Sequence, residues 1–156
     1  MFKFSITENA SLIKEVMTEK HCWQHISDDY SPAPEDFEPV FAASIMYIKC
    51  TDENEKVFAI FILLKFNNIL AELHSAVLPV MAGLFKTALK ELFNWVFLNT
   101  EYLRITTNVP AYNRLGFRAA LESGMTEWGK NPESFMRHGK LVDQLALGIS
   151  KRKVVN

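Results

Sequence analysis

Glu72 and His74 stand two residues apart in the apolar run Ile69–Val77. In a strand, that spacing puts both side chains on one face. A carboxylate beside an imidazole can take up, hold and release a proton near neutral pH. The same two residues also read as a structural hydrogen-bonded couple on a half-buried strand. A second opportunity for chemistry follows directly in the chain. After Pro79, apolar residues recur at helical spacing from about Met81 to Asn99, with Leu84, Ala88, Leu92 and Trp95 on one stripe and Phe85, Leu89, Phe93 and Val96 beside it. A strand that runs into a helix N-terminus leaves backbone N–H groups without partners. Those groups and the helix dipole favour an anionic, phosphate-bearing ligand.

Other chemistry-bearing residues carry less. His21 and His25 are four apart, as metal ligands on a helix can be, but no third ligand has suitable spacing, so no metal site is expected. Cys22 and Cys50 match no metal spacing, and two reduced cysteines suit a cytoplasmic protein. Asp28, Asp29, Glu35, Asp36 and Glu38 surround Trp23, Tyr30 and Phe37. Together these could line a groove for a cationic amine, or form a solvated loop. The aromatics Phe85, Phe93, Trp95 and Phe97 read as core.

The elements that must position these residues follow from the pattern. Met1–Ile6 alternates and reads as a strand. Asn9 or Ser11 can cap a helix carrying Leu12, Ile13, Val16 and Met17, and His21–Tyr30 holds a second helical stretch. Ser27–Pro39, with three prolines and five acids, is a surface loop. Phe41–Cys50, Val57–Asn67 and Ile69–Val77 are strands, the first two joined by the polar TDENEK. After the long helix, Tyr102–Val109 is a strand ended by Pro110. Asn113–Ser123 is a helix with Gly124 as its left-handed end. Met125–Lys130 and Lys140–Ser150 are the last strands, joined by a loop over Asn131–Gly139, and KRKVVN, residues 151–156, is a frayed tail. The order is β-α-α-β-β-β-α-β-α-β-β in a single domain over residues 1–150.

Composition bounds the function. A chain of 156 residues, 49% hydrophobic and of net charge −1, can bury a sizeable core and lacks the basic surplus of a non-specific nucleic-acid binder. Its longest apolar run, Val57–Leu64, is too short to span a bilayer. The N-terminal MFKFSITENAS has no signal-peptide pattern, which again predicts a cytoplasmic protein.

This element order resembles that of the GNAT N-acetyltransferase superfamily: an α+β fold with a mixed, mostly antiparallel sheet of about seven strands and helices on both faces. The segment NRLGFRAALESGMTEWG, Asn113–Gly129, is similar to the helix-and-strand signature of the ribosomal-protein N-terminal acetyltransferase-like branch, here in a form like that of phage and prophage sequences. Asn113 opens the helix, Gly124-Met125 stands where a Gly-Phe pair is common, and Trp128-Gly129 where Glu-Gly is common. ESFMRHGKLVDQLALGIS then resembles the branch's closing hairpin, with Gly139 at its turn.

The resemblance implies an acyl-CoA-dependent N-acyltransferase. It would move an acetyl group from acetyl-CoA to a primary amine of a protein or small molecule by direct attack. Pantetheine would pair with backbone at Ala76, Val77 and Leu78. Pyrophosphate would sit on the loop that falls on Ala82, Gly83, Leu84, Phe85, Lys86 and Thr87. The family's Arg/Gln is Ala82 here, its middle Gly is Phe85 and its last small residue is Thr87. The dipole alone is worth about 0.3–1 kcal/mol to an anion, and the missing charge-assisted contact about 1.5–3 kcal/mol. The sequence therefore predicts weaker CoA binding, with Lys86, Arg114 or Arg118 as substitutes and Phe85 crowding the backbone. Glu72 or His74 would be the base. The family's acid Tyr is replaced by Ala120, leaving Tyr112 nearest, and Asn113 would cap its helix or touch the cofactor. A catalytically inactive GNAT-fold binding or virion-associated module is the alternative. Oligomeric state is not legible.

Overall fold

β1 (Lys3–Ile6) leads into two short helices, α1 (Ala10–Met17) and α2 (Lys20–Ile26), which are followed by a 3-10 turn at Pro34–Asp36. Three antiparallel strands come next: β2 (Ile45–Thr51), β3 (Val57–Lys65) and β4 (Leu70–Val77). A 3-10 turn at Pro79–Met81 then precedes α3 (Phe85–Asn99), which crosses to β5 (Arg104–Pro110). The chain closes with α4 (Arg114–Glu122), β6 (Thr126–Arg137), β7 (Lys140–Ser150) and a helical turn, α5 (Lys151–Val154). The computed structural model describes residues 1–154. One seven-stranded sheet runs in the order β1-β2-β3-β4-β5-β7-β6, and only the β4–β5 neighbours are parallel. This is the mixed α+β sheet that the sequence predicts.

Alternation along the strands divides the core between two faces. Ala71 and Leu73 of β4 and Ile105 and Val109 of β5 pack with Leu92, Phe93, Val96 and Phe97 of α3 and Ala120 of α4. On the opposite face Ile60, Ile62 and Ala76 pack with Ile13, Val16 and Cys22 of α1 and α2. Burial of Phe93 and Phe97 is complete, while Phe85 and Trp95 are only partly buried. Among the described residues no helix is long and apolar enough to cross a membrane.

Four sequence expectations change. The helix expected from Met81 begins at Phe85, because Pro79 starts a 3-10 turn that drops Met81 fully into the core. β2 begins at Ile45 rather than Phe41, whose ring packs 5.6 Å from Tyr47 outside the ladder. Asn131–Gly139 is not a loop: β6 continues to Arg137 through two register shifts, and the turn is confined to His138 and Gly139, both at positive φ. Edge strands with bulges lose the alternation that makes them readable. The tail is not frayed over Lys151–Val154. Lys151 N donates to Leu103 O at 2.9 Å and Val154 packs on the core, while residues 155–156 lie outside the described range.

Candidate functional site

The site grows from a fork in the sheet. β4 and β5 pair at only three positions, Leu70 with Arg104, Ala71 with Ile105 and Glu72 with Thr106. Past them β4 stays on β3 to the Ala59–Val77 pair, and β5 stays on β7 to the Pro110–Gln144 pair. The two strands therefore separate. The last link across the fork is a side chain, Thr107 Oγ1 donating to Leu73 O at 2.9 Å.

Register decides which backbone groups face the gap. Leu78 N donates to Phe58 O at 2.9 Å, and Leu70 O accepts from Phe66 N at 3.0 Å. Even-numbered β4 residues thus turn their amides to β3. Odd-numbered ones face β5, as Ile69 O does in accepting from Leu103 N and Arg104 N. Beyond Leu73 the odd positions are Ser75 and Val77, which have lost their β5 partner. Of Ala76, Val77 and Leu78, where the sequence places the pantetheine pairing, only Val77 turns its amide to the gap. Cys22 Sγ, buried so that its thiol is pushed up to about 12, donates to Val77 O at 3.2 Å.

At the open end of the fork lies the turn into α3. Ala82 N and Leu84 N are used in 3-10 bonds to Pro79 O and Met81 O, and the first helical bond is Ala88 N to Leu84 O. The N–H groups of Gly83, Phe85, Lys86 and Thr87 have no acceptor among the described residues, and no side chain caps the helix. Gly83 faces open space. The Phe85 ring is partly buried and packs against the core cluster. The residues present therefore fit a phosphate-bearing chain laid along the gap, even though the Arg/Gln of the usual loop is Ala82. Lys86 and Arg118 are brought together beside this turn, each bonded to Glu122, while Arg114 is exposed at the start of α4.

Glu72 and His74 lie on the α1/α2 face of β4, at the point where the fork opens. His74 Nε2 is 3.1 Å from Glu72 Oε1, with the carboxylate side chain 15% exposed and the imidazole 44%. The His74 hydrogen bond holds the Glu72 carboxyl below its ordinary value, against the opposing effect of burial, and Asn108 adds a further donor. Asn108 sits on β5 two residues past Thr106, the partner of Glu72, and so shares its face. A proton on Nε2, the nitrogen facing Glu72, leaves Nδ1 as the ring nitrogen able to accept another.

Asn113 spends its Oδ1 on the N-terminus of α4, accepting from Gly116 N at 3.0 Å. Gly124 takes φ +106 after α4, as expected of a left-handed helix end. Tyr112 is 44% exposed, its ring 6.3 Å from Phe135 and 5.9 Å from the Arg137 guanidinium. Burial pushes its hydroxyl up, and Arg137 partly offsets that. Arg137 Nη1 also donates to Ser27 O at 2.7 Å. Asp29 accepts from His138 N at 2.8 Å and from Gly139 N at 2.7 Å. The end of α2 and the β6–β7 hairpin are thereby joined into one wall. Trp23 of α2 packs against Phe37 of the following loop, the tilted rings 5.3 Å apart, whereas Tyr30 is 81% exposed. The His21 and His25 rings lie 5.9 Å apart, edge to face, and no metal-binding group of three side chains forms among the described residues.

The sequence reading missed Ser75, Thr107, Asn108, Arg137 and Glu122, and gave Asp29 only as one acid of the loop, without its bonds to the hairpin. Parallel register could have pointed to Asn108 through Glu72. Nothing local announces Asp29 and Arg137, whose partners are about 110 residues away.

No family model matches the sequence, and no curated protein matches it. Solved structures do match. Spermidine N-acetyltransferase from Vibrio cholerae, in complex with CoA and spermine, superposes with a TM-score of 0.82 at 15% identity, over 99% of this chain and 98% of that one. A protein described as a phosphinothricin N-acetyltransferase superposes with a TM-score of 0.75 at 20% identity, over 96% and 98%. At such identities the likeness establishes the fold.

Proposed function

We propose that this chain is an N-acetyltransferase of the GNAT type, using acetyl-CoA to acetylate a primary amine. The observation that carries the reading is the fork. Two strands part after three pairs, unpaired Ser75 and Val77 amides line the gap, and free N–H groups at Gly83 and Phe85–Thr87 stand at its mouth. A pantetheine arm can take the place of the missing strand pairing, with its phosphates at the N-terminus of α3. When bound, acetyl-CoA supplies the acetyl group as an activated thioester.

The chain's own residues do the rest. His74 Nδ1 accepts a proton from the incoming ammonium or amine, directly or through a water. Glu72 holds the imidazole in that tautomer and stabilises its charged form. Tyr112, protonated at neutral pH, is the donor for the departing sulfur. The α2–hairpin wall orients the acceptor, and the acidic loop at Asp28, Glu35 and Asp36 favours a cation. Spermidine, the amine named for the Vibrio cholerae enzyme, is the first acceptor to test. A protein N-terminus is the second, on the strength of Asn113–Gly129 and its resemblance to the ribosomal-protein N-terminal acetyltransferase-like branch of phages and prophages. Buried free Cys22 and Cys50 suit a cytoplasmic setting.

The test is thermal unfolding with and without acetyl-CoA. A ligand at a hundred times its Kd stabilises by about 2.7 kcal/mol, so the midpoint rises by several degrees. Absence of any shift at millimolar acetyl-CoA overturns the reading. Binding without turnover of any amine in a panel of polyamines, small amines and peptides leaves a CoA-binding module instead.

A further inference from the structure

We infer that Glu122 is a built-in competitor at the phosphate end of this site, so that the Lys86–Glu122–Arg118 triad limits how tightly CoA is held. The inference rests on the CoA reading above. Lys86 is the second residue of α3, and its own N–H is among those left unpartnered. Its Nζ lies 3.0 Å from Glu122 Oε2, while Arg118 Nε lies 2.7 Å from Glu122 Oε1. One carboxylate thus occupies both cations that stand beside the turn into α3. It makes no other hydrogen bond among the described residues.

The charge arithmetic gives the triad its consequence. Two cations and one carboxylate sum to +1 where an incoming nucleotide end brings several negative charges. A phosphate drawn to Lys86 and Arg118 meets Glu122 as a rival for the same donors and as a like charge. The three side chains are 56%, 35% and 79% exposed, so water and salt moderate the effect without abolishing it. Glu122 is held ionised well into acid, since Arg118 first and Lys86 next lower its carboxyl, and the competition persists at neutral pH. The same contact ties α4 to the start of α3, so displacing it also loosens α4 there.

Isothermal titration with CoA and with dephospho-CoA tests this on wild type, Glu122→Gln, Lys86→Gln and Arg118→Gln, with unliganded thermal midpoints as the folding control. Glu122→Gln keeps the shape and removes the charge, and its Kd for CoA falls about threefold below wild type at low salt, a gain that shrinks as salt rises. Lys86→Gln and Arg118→Gln weaken CoA by a similar factor. If the Glu122→Gln gain persists with dephospho-CoA, the competing group is the pyrophosphate. If it vanishes, the group is the 3′-phosphate, and either result supports the competitor. Equal or weaker CoA binding by Glu122→Gln, with both proteins binding, overturns this inference alone. Failure of both proteins to bind CoA at millimolar concentration overturns the CoA reading with it.

Discussion

On the proposed function, His74 acts as base through the ring nitrogen that Glu72 does not contact. Replacing His74 with Gln removes the proton acceptor and lowers kcat by about 10²-fold or more, with little change in CoA affinity by titration. Glu72→Gln retains the imidazole but not its charged support, and shows a smaller kcat loss than His74→Gln in steady-state kinetics. The stability effect of Glu72 has a definite sign. Its carboxyl titrates below the ordinary 4.5 in the fold, so its contribution is complete above pH 4.5 and disappears as pH falls through the lowered value. Urea unfolding of wild type and Glu72→Gln therefore differs most near pH 7 and converges in acid. The pair itself was legible from alternation in Ile69–Val77. What alternation could not show was the 3.1 Å contact of Nε2 with Glu72, or Asn108, which depends on how β5 registers against β4.

At the scale of elements, the turn into α3 was misread for a physical reason. Apolar spacing continues smoothly through Met81 and Leu84, but Pro79 lacks an N–H and leads into i to i+3 bonding, so the first α-helical bond comes four residues later than periodicity suggests. That delay is what leaves Gly83 in open space. The α4 boundaries were read correctly because both carry local signals, Asn113 at the start and Gly124 at positive φ just past the end. Asn113→Ala removes the cap from Gly116 N and costs about 1 kcal/mol of stability. Chemical denaturation checks this, and a loss well below 0.5 kcal/mol would mean that solvent replaces the cap. β6 ran beyond its predicted end because the register shift between Asn131 and Phe135 interrupts its alternation before the half-buried Ser134–Arg137 stretch.

For the molecule as a whole, the sheet separates two packing faces. α3 and α4 cover one face, which the proposed function makes the phosphate end, while α1 and α2 cover the other and, on the same proposal, build the acceptor wall with the distant β6–β7 hairpin. Asp29 closes that wall through two backbone N–H groups, which hold its carboxyl below the usual range. Asp29→Asn weakens the clasp, raising KM for the amine severalfold while CoA affinity stays constant. Wild type acquires the same defect as pH falls through the lowered Asp29 value, and steady-state kinetics with both substrates varied reads the split. The overall strand order was legible early, since each element has its own periodicity, but the clasp joins residues that no window of sequence contains together. The fork has one more consequence. A sheet that is unzipped in its interior carries raw strand margins at its centre as well as at its rim, the kind of margin that invites pairing with foreign chains. An unliganded molecule of this design guards that central margin only by its narrowness and its flanking helices. A bound cofactor lying there would do the work of a missing strand, sealing the protein against association with its own copies.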